Sequence, residues 1–254
     1  MTTRMTRIRY VGGPTALLEY GGIRLLTDPT FDGPGDYPIG TRKLAKTAGP
    51  AVTAAEVGAV DAVLLSHDQH PDNLDAAGRQ YALAAPLVLS TASARERIGD
   101  PVRALANWET YDLGGVRVTG VPAQHGPDGS EHLVGEVTGF VLESADEPTV
   151  YVSGDNASLG VVRQIAERFE RIDLAVLFAG GAQTPLVGDA YLTLPSESAA
   201  EAARILNARQ VVPLHFEQWA HFTQGPDTLR PAFEQARLAD RLHLLKPGEQ
   251  VSFR

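Results

Sequence analysis

The sequence predicts an α/β domain with a layered or sandwich architecture. Segments typical of strands alternate with segments typical of helices along almost the whole chain. The length of 254 residues exceeds the commonest domain size but fits one large α/β domain. We find no linker-like or low-complexity segment, so we expect a single domain over residues 1–254.

The chain opens with a short antiparallel meander. Residues 8–11, 16–20 and 23–27 are predicted strands, and Gly21-Gly22 is a hairpin turn signal between the last two. Residues 29–51 are rich in Gly and Pro and are predicted to form a long functional loop. The later predicted strands are 60–65, 86–90, 116–121, 139–143, 149–152, 174–178, 210–214 and 242–245, and the predicted helices are 74–85, 92–98, 159–169, 195–206 and 226–238.

Cysteine is absent, which limits the chemistry that the chain can perform. A disulfide framework, a thiolate nucleophile, an iron–sulfur cluster and Cys-ligated zinc are all excluded. Any bound metal must therefore be held by histidine, carboxylate or amide groups.

The charge balance is acidic. The 22 Lys and Arg against 31 Asp and Glu give a net charge of −9, which argues against a general nucleic-acid-binding protein. We see neither a signal-peptide pattern nor an apolar run of the ~18 residues that a membrane span needs. We therefore expect a cytoplasmic protein that acts on a small molecule and binds neither nucleic acid nor membrane. The oligomeric state stays open, a homo-oligomer included.

Polar residues able to bind metal follow four predicted strands. Functional sites of α/β folds collect at the carboxyl ends of strands. Two His and two Asp within residues 67–72, directly after an apolar strand, are not explained by packing and favour a metal site. The four groups are Ser66 to Asn73, Gln124-His125, Gly154-Asp155 and Leu214-His215.

Each histidine or aspartate on its own has a plainer interpretation. His125 alone could be a hydrogen-bonded structural histidine, and Asp155 could cap the helix that follows it. His132 lies in a loop and could be solvated or could touch substrate. His221 follows an aromatic stretch and His243 lies in a predicted strand, so we interpret both as structural.

These motifs, in this order and at these separations, resemble the metallo-β-lactamase superfamily. The similarity extends over nearly the whole chain and is greatest to the branch that contains L-ascorbate-6-phosphate lactonase. The matching segments are 10–19 with the Thr27-Asp28-Pro29 turn, Ser66 to Asp75, residues 121–125, Ser153-Gly154-Asp155 and residues 212–215. The resemblance implies an αββα sandwich of two mixed sheets flanked by helices, with the site at one edge between the sheets.

The resemblance also implies a ligand set, although the chain departs from the family pattern His-x-His-x-Asp-His. The span from His67 to Asp72 is one residue longer, so either Gln69 or His70 takes the second His position. Asn73 stands where a His is expected. The implied ligands are His67, His70 or Gln69, and His125 for one metal and Asp72 and His215 for another, with Asp155 bridging; Asp68, Gln69 and Asn73 are further candidates as ligands or as partners of ligands.

The implied activity is that of a hydrolase that uses a metal-activated water on a small ester, lactone, amide or phosphoester, with a lactone favoured. Asp72 is expected to orient the attacking water, and His67 to act in catalysis as a metal ligand. His132 and Trp219 are candidate substrate contacts. One or two divalent ions are expected, zinc by default and manganese or iron as alternatives. A binding or sensing protein that has lost the catalytic metal is the competing hypothesis.

Overall fold

The computed structural model describes residues 5–254. Two β-sheets face each other and helices cover their outer sides. Leu64 packs into the core between the sheets, whereas its neighbours Val63 and Leu65 pack into a second core on the outer side. A sheet that is covered on both faces needs apolar residues at successive positions, which is what the strand patterns contain. The predicted αββα sandwich is confirmed.

The strands of the described residues follow one another along the chain with short connections. In chain order they are β1 (Thr6–Gly12), β2 (Thr15–Tyr20), β3 (Ile23–Thr27), β4 (Gly35–Ile39), β5 (Arg42–Lys46), β6 (Ala62–Leu64), β7 (Val88–Ser90), β8 (Val102–Ala104), β9 (Thr110–Leu113), β10 (Val116–Pro122), β11 (Thr138–Glu143), β12 (Val150–Val152), β13 (Leu174–Phe178), β14 (Gln210–Leu214) and β15 (Gln250–Phe253).

Each sheet combines antiparallel and parallel pairs. The order in the first is β15-β1-β2-β3-β6-β7-β8, antiparallel up to β3 and parallel from β3 onward. The order in the second is β14-β13-β12-β11-β10-β9, in which β12, β13 and β14 run parallel and the rest antiparallel. As a result, β10, β12 and β14 all end at the same edge of the second sheet.

The helices are short and most begin at a side-chain cap. Asp75 caps the second helix by accepting a hydrogen bond from Gly78 N at 2.8 Å, and Thr91 caps the third in the same way. The helices of the described residues are α1 (Ala54–Val57), α2 (Ala76–Ala84), α3 (Ala92–Ile98), α4 (Glu131–Val134), α5 (Leu159–Arg168), α6 (Ser196–Ile205) and α7 (Pro226–Gln235).

The structure corrects two of the sequence expectations. Residues 29–51 are not a continuous loop, because β4 and β5 form a hairpin inside them. Residues 242–245 do not form a strand: Leu242 makes one isolated bridge to Val211, and the last strand is β15, which pairs with β1. The alternation of apolar residues in 242–245 comes from partial packing against the core rather than from a sheet register.

The carboxyl ends of four strands meet at one edge of the sandwich. His67 lies three residues after β6 of the first sheet. His125, Asp155 and His215 follow β10, β12 and β14 of the second sheet. The fold therefore brings together side chains that lie far apart in sequence, on segments fixed by both sheets.

Candidate metal centre

The segment that carries His67 is held from beneath by a buried carboxylate. Asp28 accepts hydrogen bonds from Ser66 N and Ser66 Oγ, both at 2.6 Å. Ser66 Oγ also lies 3.0 Å from His67 Nδ1. Because Nδ1 is engaged there, Nε2 of the fully buried His67 ring is the nitrogen that faces the site.

Three imidazoles and one carboxylate converge on a common point. His67 Nε2 lies 3.0 Å and His125 Nε2 lies 3.3 Å from His70 Nδ1. Zinc–nitrogen bonds of about 2.0–2.1 Å in a tetrahedral site place ligand nitrogens about 3.3–3.4 Å apart, close to this spacing. With Asp155 added, all the ligand atoms lie within 4.8 Å of one another. We call this group the imidazole cluster: His67, His70, His125 and Asp155.

The ring of His125 is fixed by the backbone. Its Nδ1 lies 2.9 Å from the carbonyl oxygen of Leu192, to which the N–H donates. The lone pair is then on Nε2, which faces the other two imidazoles. Such a hydrogen bond to the outer ring nitrogen is the usual support of a metal-binding histidine.

A second group of ligand-type side chains lies next to Asp155. Asp72 Oδ2 lies 3.3 Å from His215 Nε2 and 3.0 Å from His221 Nε2. Asp155 Oδ1 lies 3.4 Å from His215 Nε2, so Asp155 borders both groups. We call this group the Asp72 cluster: Asp72, Asp155, His215 and His221.

Several buried atoms of the Asp72 cluster have unused hydrogen-bonding capacity. Within residues 5–254, four of these atoms have no hydrogen-bond partner: both ring nitrogens of His215, Asp72 Oδ1 and His221 Nδ1. Unpaired buried polar atoms are costly, so a group of them in one place indicates a ligand. His215 also has a positive φ of 58°, a conformation uncommon for residues other than glycine.

Burial and neighbouring charges set the protonation states. Burial lowers the pKa of His70 to about 4, assisted by the charge of His125, and burial with His70 holds the pKa of His67 well below its ordinary value. Burial by itself would raise the pKa of Asp72, but His221 and His215 outweigh it and hold that pKa well below the ordinary value. Neutral imidazoles beside ionised carboxylates are the forms that bind a cation.

His215 is the exception among the imidazoles. Burial would lower its pKa, but Asp155 and Asp72 outweigh burial and raise the pKa to about 10. This position therefore favours a positive charge, whether a proton on the ring or a cation beside it.

The structure distinguishes the two registers that the sequence left open. His70 lies in the imidazole cluster, whereas the Gln69 side chain lies against Gly135, where a β-carbon would be 2.5 Å from its Nε2. Asp68 points away and pairs with Arg97, its Oδ1 lying 2.5 Å from Nη2. His70, rather than Gln69, is thus the residue placed to bind metal.

Asn73 lies beside the site without facing it as a ligand. Its Nδ2 donates to Asp28 Oδ2 at 3.2 Å and to Asp155 Oδ1 at 3.1 Å. An amide nitrogen does not bind metal, so these contacts position the two carboxylates, and Asn73 Oδ1 is left without a hydrogen-bond partner among the described residues.

A cavity of about 310 Å³ opens onto both clusters. The hairpin of β4 and β5 covers one side of it. The lining combines the basic residues Arg42 and Lys43 with apolar groups and site residues: Ile39, Leu44, Val134, Leu186, Leu192, His70, Asp72, His125, Asp155 and His221.

The two candidate substrate contacts lie elsewhere. Trp219 is buried against the ring of Tyr37 and the ammonium of Lys46 and does not line this cavity. His132 is exposed on α4 and borders a shallow neighbouring groove together with Gln69 and His70.

Sequence reasoning missed two residues of the site. His221 was interpreted as structural because of the aromatic residues around it, yet its Nε2 contacts Asp72 and it lines the cavity. The signal in the sequence was that His221 follows the candidate ligand His215 by six residues. Asp28 was noticed only as part of a turn, and its buried position beneath Ser66 has no signature in the sequence.

Sequence similarity to known families shows which superfamily the chain belongs to. A family model described as a beta-lactamase superfamily domain matches residues 23–216. The chain belongs to the metallo-β-lactamase superfamily. A UPF0173 metal-dependent hydrolase of Rubrobacter xylanophilus is 32% identical over 256 residues, which cover 97% of this chain and 96% of that protein.

Solved structures of the superfamily share the fold. The isothiocyanate hydrolase from Delia radicum gut bacteria has a TM-score of 0.83 at 23% identity and covers 97% of this chain and 99% of its own. A possible metal-dependent hydrolase from Veillonella parvula has a TM-score of 0.86 at 18% identity and covers 98% and 99%. The predicted superfamily is confirmed, and relatives named metal-dependent hydrolases confirm the predicted enzyme class.

The sequence contains no predicted membrane span. Among the described residues, no helix has the length and apolar character needed to cross a bilayer.

Proposed function

We propose that this protein is a hydrolase that uses one or two divalent cations, zinc by default, to direct water at a small-molecule substrate. The observation that carries the proposal is the position of the imidazole cluster on the wall of the cavity. The volume of about 310 Å³ lies at the lower end of the range for small-molecule sites.

The imidazole cluster would hold the first cation through His67, His70, His125 and Asp155. A cation bound there lowers the pKa of water towards ~7 and polarises a carbonyl or phosphoryl oxygen. Asp72 lines the cavity, and its Oδ1, which has no hydrogen-bond partner among the described residues, would accept a proton from the attacking water and orient it. Leu192 and Val134 give the cavity an apolar part of its wall.

The cavity wall supports a substrate that is apolar with one anionic or strongly polar group. Arg42 lies in the wall, where its Nη1 donates to Thr184 Oγ1 at 2.7 Å and leaves its other donors free to bind such a group. Lactones, thioesters and other esters, amides and phosphoesters meet this description. The resemblance to the L-ascorbate-6-phosphate lactonase branch favours a lactone with an anionic substituent.

The test is a hydrolysis screen of the metal-loaded protein. Zinc-, manganese- and iron-loaded samples would be assayed against a lactone, a carboxylic ester, an amide, a phosphodiester and an isothiocyanate. We expect turnover of at least one class, lost by more than about 100-fold in His70→Ala.

His243→Gln is the matched control, because His243 packs on Phe253 at the far end of the first sheet and should keep the activity. Metal-loaded protein that hydrolyses none of these classes above the level of His70→Ala would overturn the proposal and favour the binding or sensing protein.

A further inference from the structure

We propose that His221 is a metal ligand that completes a second cation site, together with Asp72, Asp155 and His215, in place of the imidazole that Asn73 does not supply. The inference rests on the proposed function, because Asp155 would be shared with the first cation. It assigns to this chain a site with two imidazoles and two carboxylates, a donor set suited to zinc, manganese or iron.

The geometry of the Asp72 cluster carries the inference. Asp72 Oδ2 lies 3.0 Å from His221 Nε2 and 3.3 Å from His215 Nε2, and Asp155 Oδ1 lies 3.4 Å from His215 Nε2. Ligand atoms of one cation lie about 3 Å or more apart, so each of these three pairs has a separation that a shared cation allows. Among the described residues, His215 Nε2 meets these two carboxylates at ion-pair distance without a well-formed hydrogen bond, and His215 Nδ1 has no partner.

Asn73 presents its amide nitrogen to the site carboxylates, and its Oδ1, which has no hydrogen-bond partner among the described residues, is a weaker ligand than the imidazole expected at this position. Its amide nitrogen, and not its oxygen, faces Asp155 Oδ1 at 3.1 Å, and the same nitrogen donates to Asp28 Oδ2 at 3.2 Å. Since carboxylates are acceptors, these two contacts fix the orientation of the amide. Any further imidazole of a second site must therefore come from another segment.

The segment that carries His221 is anchored so that the ring faces Asp72. Trp219 forms a backbone bridge to Lys46 of β5, and Phe222 forms one to Ala182. The ring of Phe222 packs against both imidazoles, with ring centres 4.6 Å from His215 and 4.5 Å from His221. The aromatic residues that made His221 look structural therefore orient it.

His221 also differs from His215 in its access to the cavity. Its side chain keeps 14% of its surface exposed, whereas His215 is fully buried. Because His221 lines the cavity, a cation held by it would face the substrate. Asp72 would then hold the cation through Oδ2 and keep Oδ1 for the water.

Metal counting tests the inference without reference to activity. Wild type, His221→Ala, His221→Gln and His243→Gln would be stripped with chelator, reloaded with zinc, dialysed and analysed for zinc per chain by mass spectrometry. We expect about two zinc ions in wild type and in the His243→Gln control and about one in both His221 variants. Zinc titration should give a second-site Kd that is weaker by more than about tenfold in those variants.

The outcomes separate this inference from the proposed function. Two ions in the His221 variants, or one ion in wild type as well as in the variants, would overturn the role of His221 and leave the first site intact. No bound metal in wild type after loading with zinc, manganese or iron in turn would overturn the proposed function itself. Circular dichroism of each variant identifies one that has not folded, and His221→Gln, which keeps the size of the side chain, then decides the result.

Discussion

Asn73 Nδ2 donates a hydrogen bond to Asp155 Oδ1 across 3.1 Å in the buried floor of the site. The same nitrogen binds Asp28, so one neutral amide separates two carboxylates that would otherwise repel each other. The charge of Asp155 is one reason that the pKa of Asp28 is raised to about 7, burial being the main one. Asn73, the residue that departs from the family pattern, thus reduces the repulsion between two buried carboxylates.

Replacing Asn73 by a residue with a carboxylate should destabilise the metal-free protein. Asn73→Asp keeps the shape of the side chain but removes both hydrogen-bond donors and adds a third acid next to Asp28 and Asp155. We expect the free energy of unfolding to fall by about 3 kcal/mol or more in urea denaturation with chelator. An unchanged value would contradict the role of Asn73 as donor, and added zinc should recover part of the loss.

The metal-free protein should lose stability as the pH falls from about 6.5 to 4. His67 and His70 are held neutral by burial, with the pKa of His70 at about 4, so the unfolded chain binds two more protons in this range. Asp28 acts in the opposite direction, because its raised pKa of about 7 gives the folded state one extra proton. Three further groups have lowered pKa values that act in the same direction as those of the two imidazoles: His243, Asp72 and Asp155. The net difference of at least about one proton predicts a loss of at least about 1.4 kcal/mol per pH unit.

Chemical denaturation at a series of pH values with chelator measures this slope. His70→Asn removes one of the two imidazoles and should reduce the slope by about 1.4 kcal/mol per pH unit. A stability that rises towards pH 4 would contradict the protonation states given above for His67 and His70.

The buried ion pair between Lys46 and Asp75 should be a main support of the hairpin over the cavity. Lys46 Nζ lies 2.9 Å from Asp75 Oδ2, and both side chains are fully buried. Lys46→Met leaves the Asp75 charge with backbone donors alone, and we expect a loss of about 3 kcal/mol in the free energy of unfolding. The matched control is Lys43→Met, whose pair with Asp36 is exposed and should change the value by less than about 0.5 kcal/mol. Equal effects would contradict this assignment.

Gly78 should be required for the contact of α2 with the segment after Asp28. A β-carbon at Gly78 would lie 1.7 Å from the carbonyl oxygen of Pro29. Helix propensity alone predicts that Gly78→Ala stabilises by about 1 kcal/mol, so a loss of about 2 kcal/mol or more in thermal denaturation isolates the steric effect. A β-carbon at Gly33 would meet no atom of residues 5–254 within 4 Å, so Gly33→Ala should be close to neutral. A stabilised Gly78→Ala protein would refute the close contact.

The sequence predicted the sandwich and the strand ends of the site because both depend on local patterns. Apolar runs bounded by polar residues mark β6, β10, β12 and β14, and each is followed by its site residue. Which of residues 69 and 70 faces the site could not be predicted in this way, since it depends on the geometry of a turn. The carbonyl of His70 accepts hydrogen bonds from Asn73 N and Leu74 N at 3.1 and 2.9 Å, and this turn directs His70 rather than Gln69 inward.

The role of His221 could not be predicted because it depends on long-range packing. The backbone bridge between Trp219 and Lys46 places this segment against β5 of a hairpin that the Gly- and Pro-rich composition concealed. Asp28 is similar, because its partners Ser66 and Asn73 come together with it only in the folded chain.

The most direct test of the account is anomalous diffraction from crystals of the zinc-loaded protein at the zinc absorption edge. We predict a peak about 2.0–2.2 Å from His67 Nε2, His70 Nδ1, His125 Nε2 and a carboxylate oxygen of Asp155. A zinc peak bound by other residues, or no peak among these four side chains in fully loaded crystals, would contradict the claim that the imidazole cluster is the metal centre.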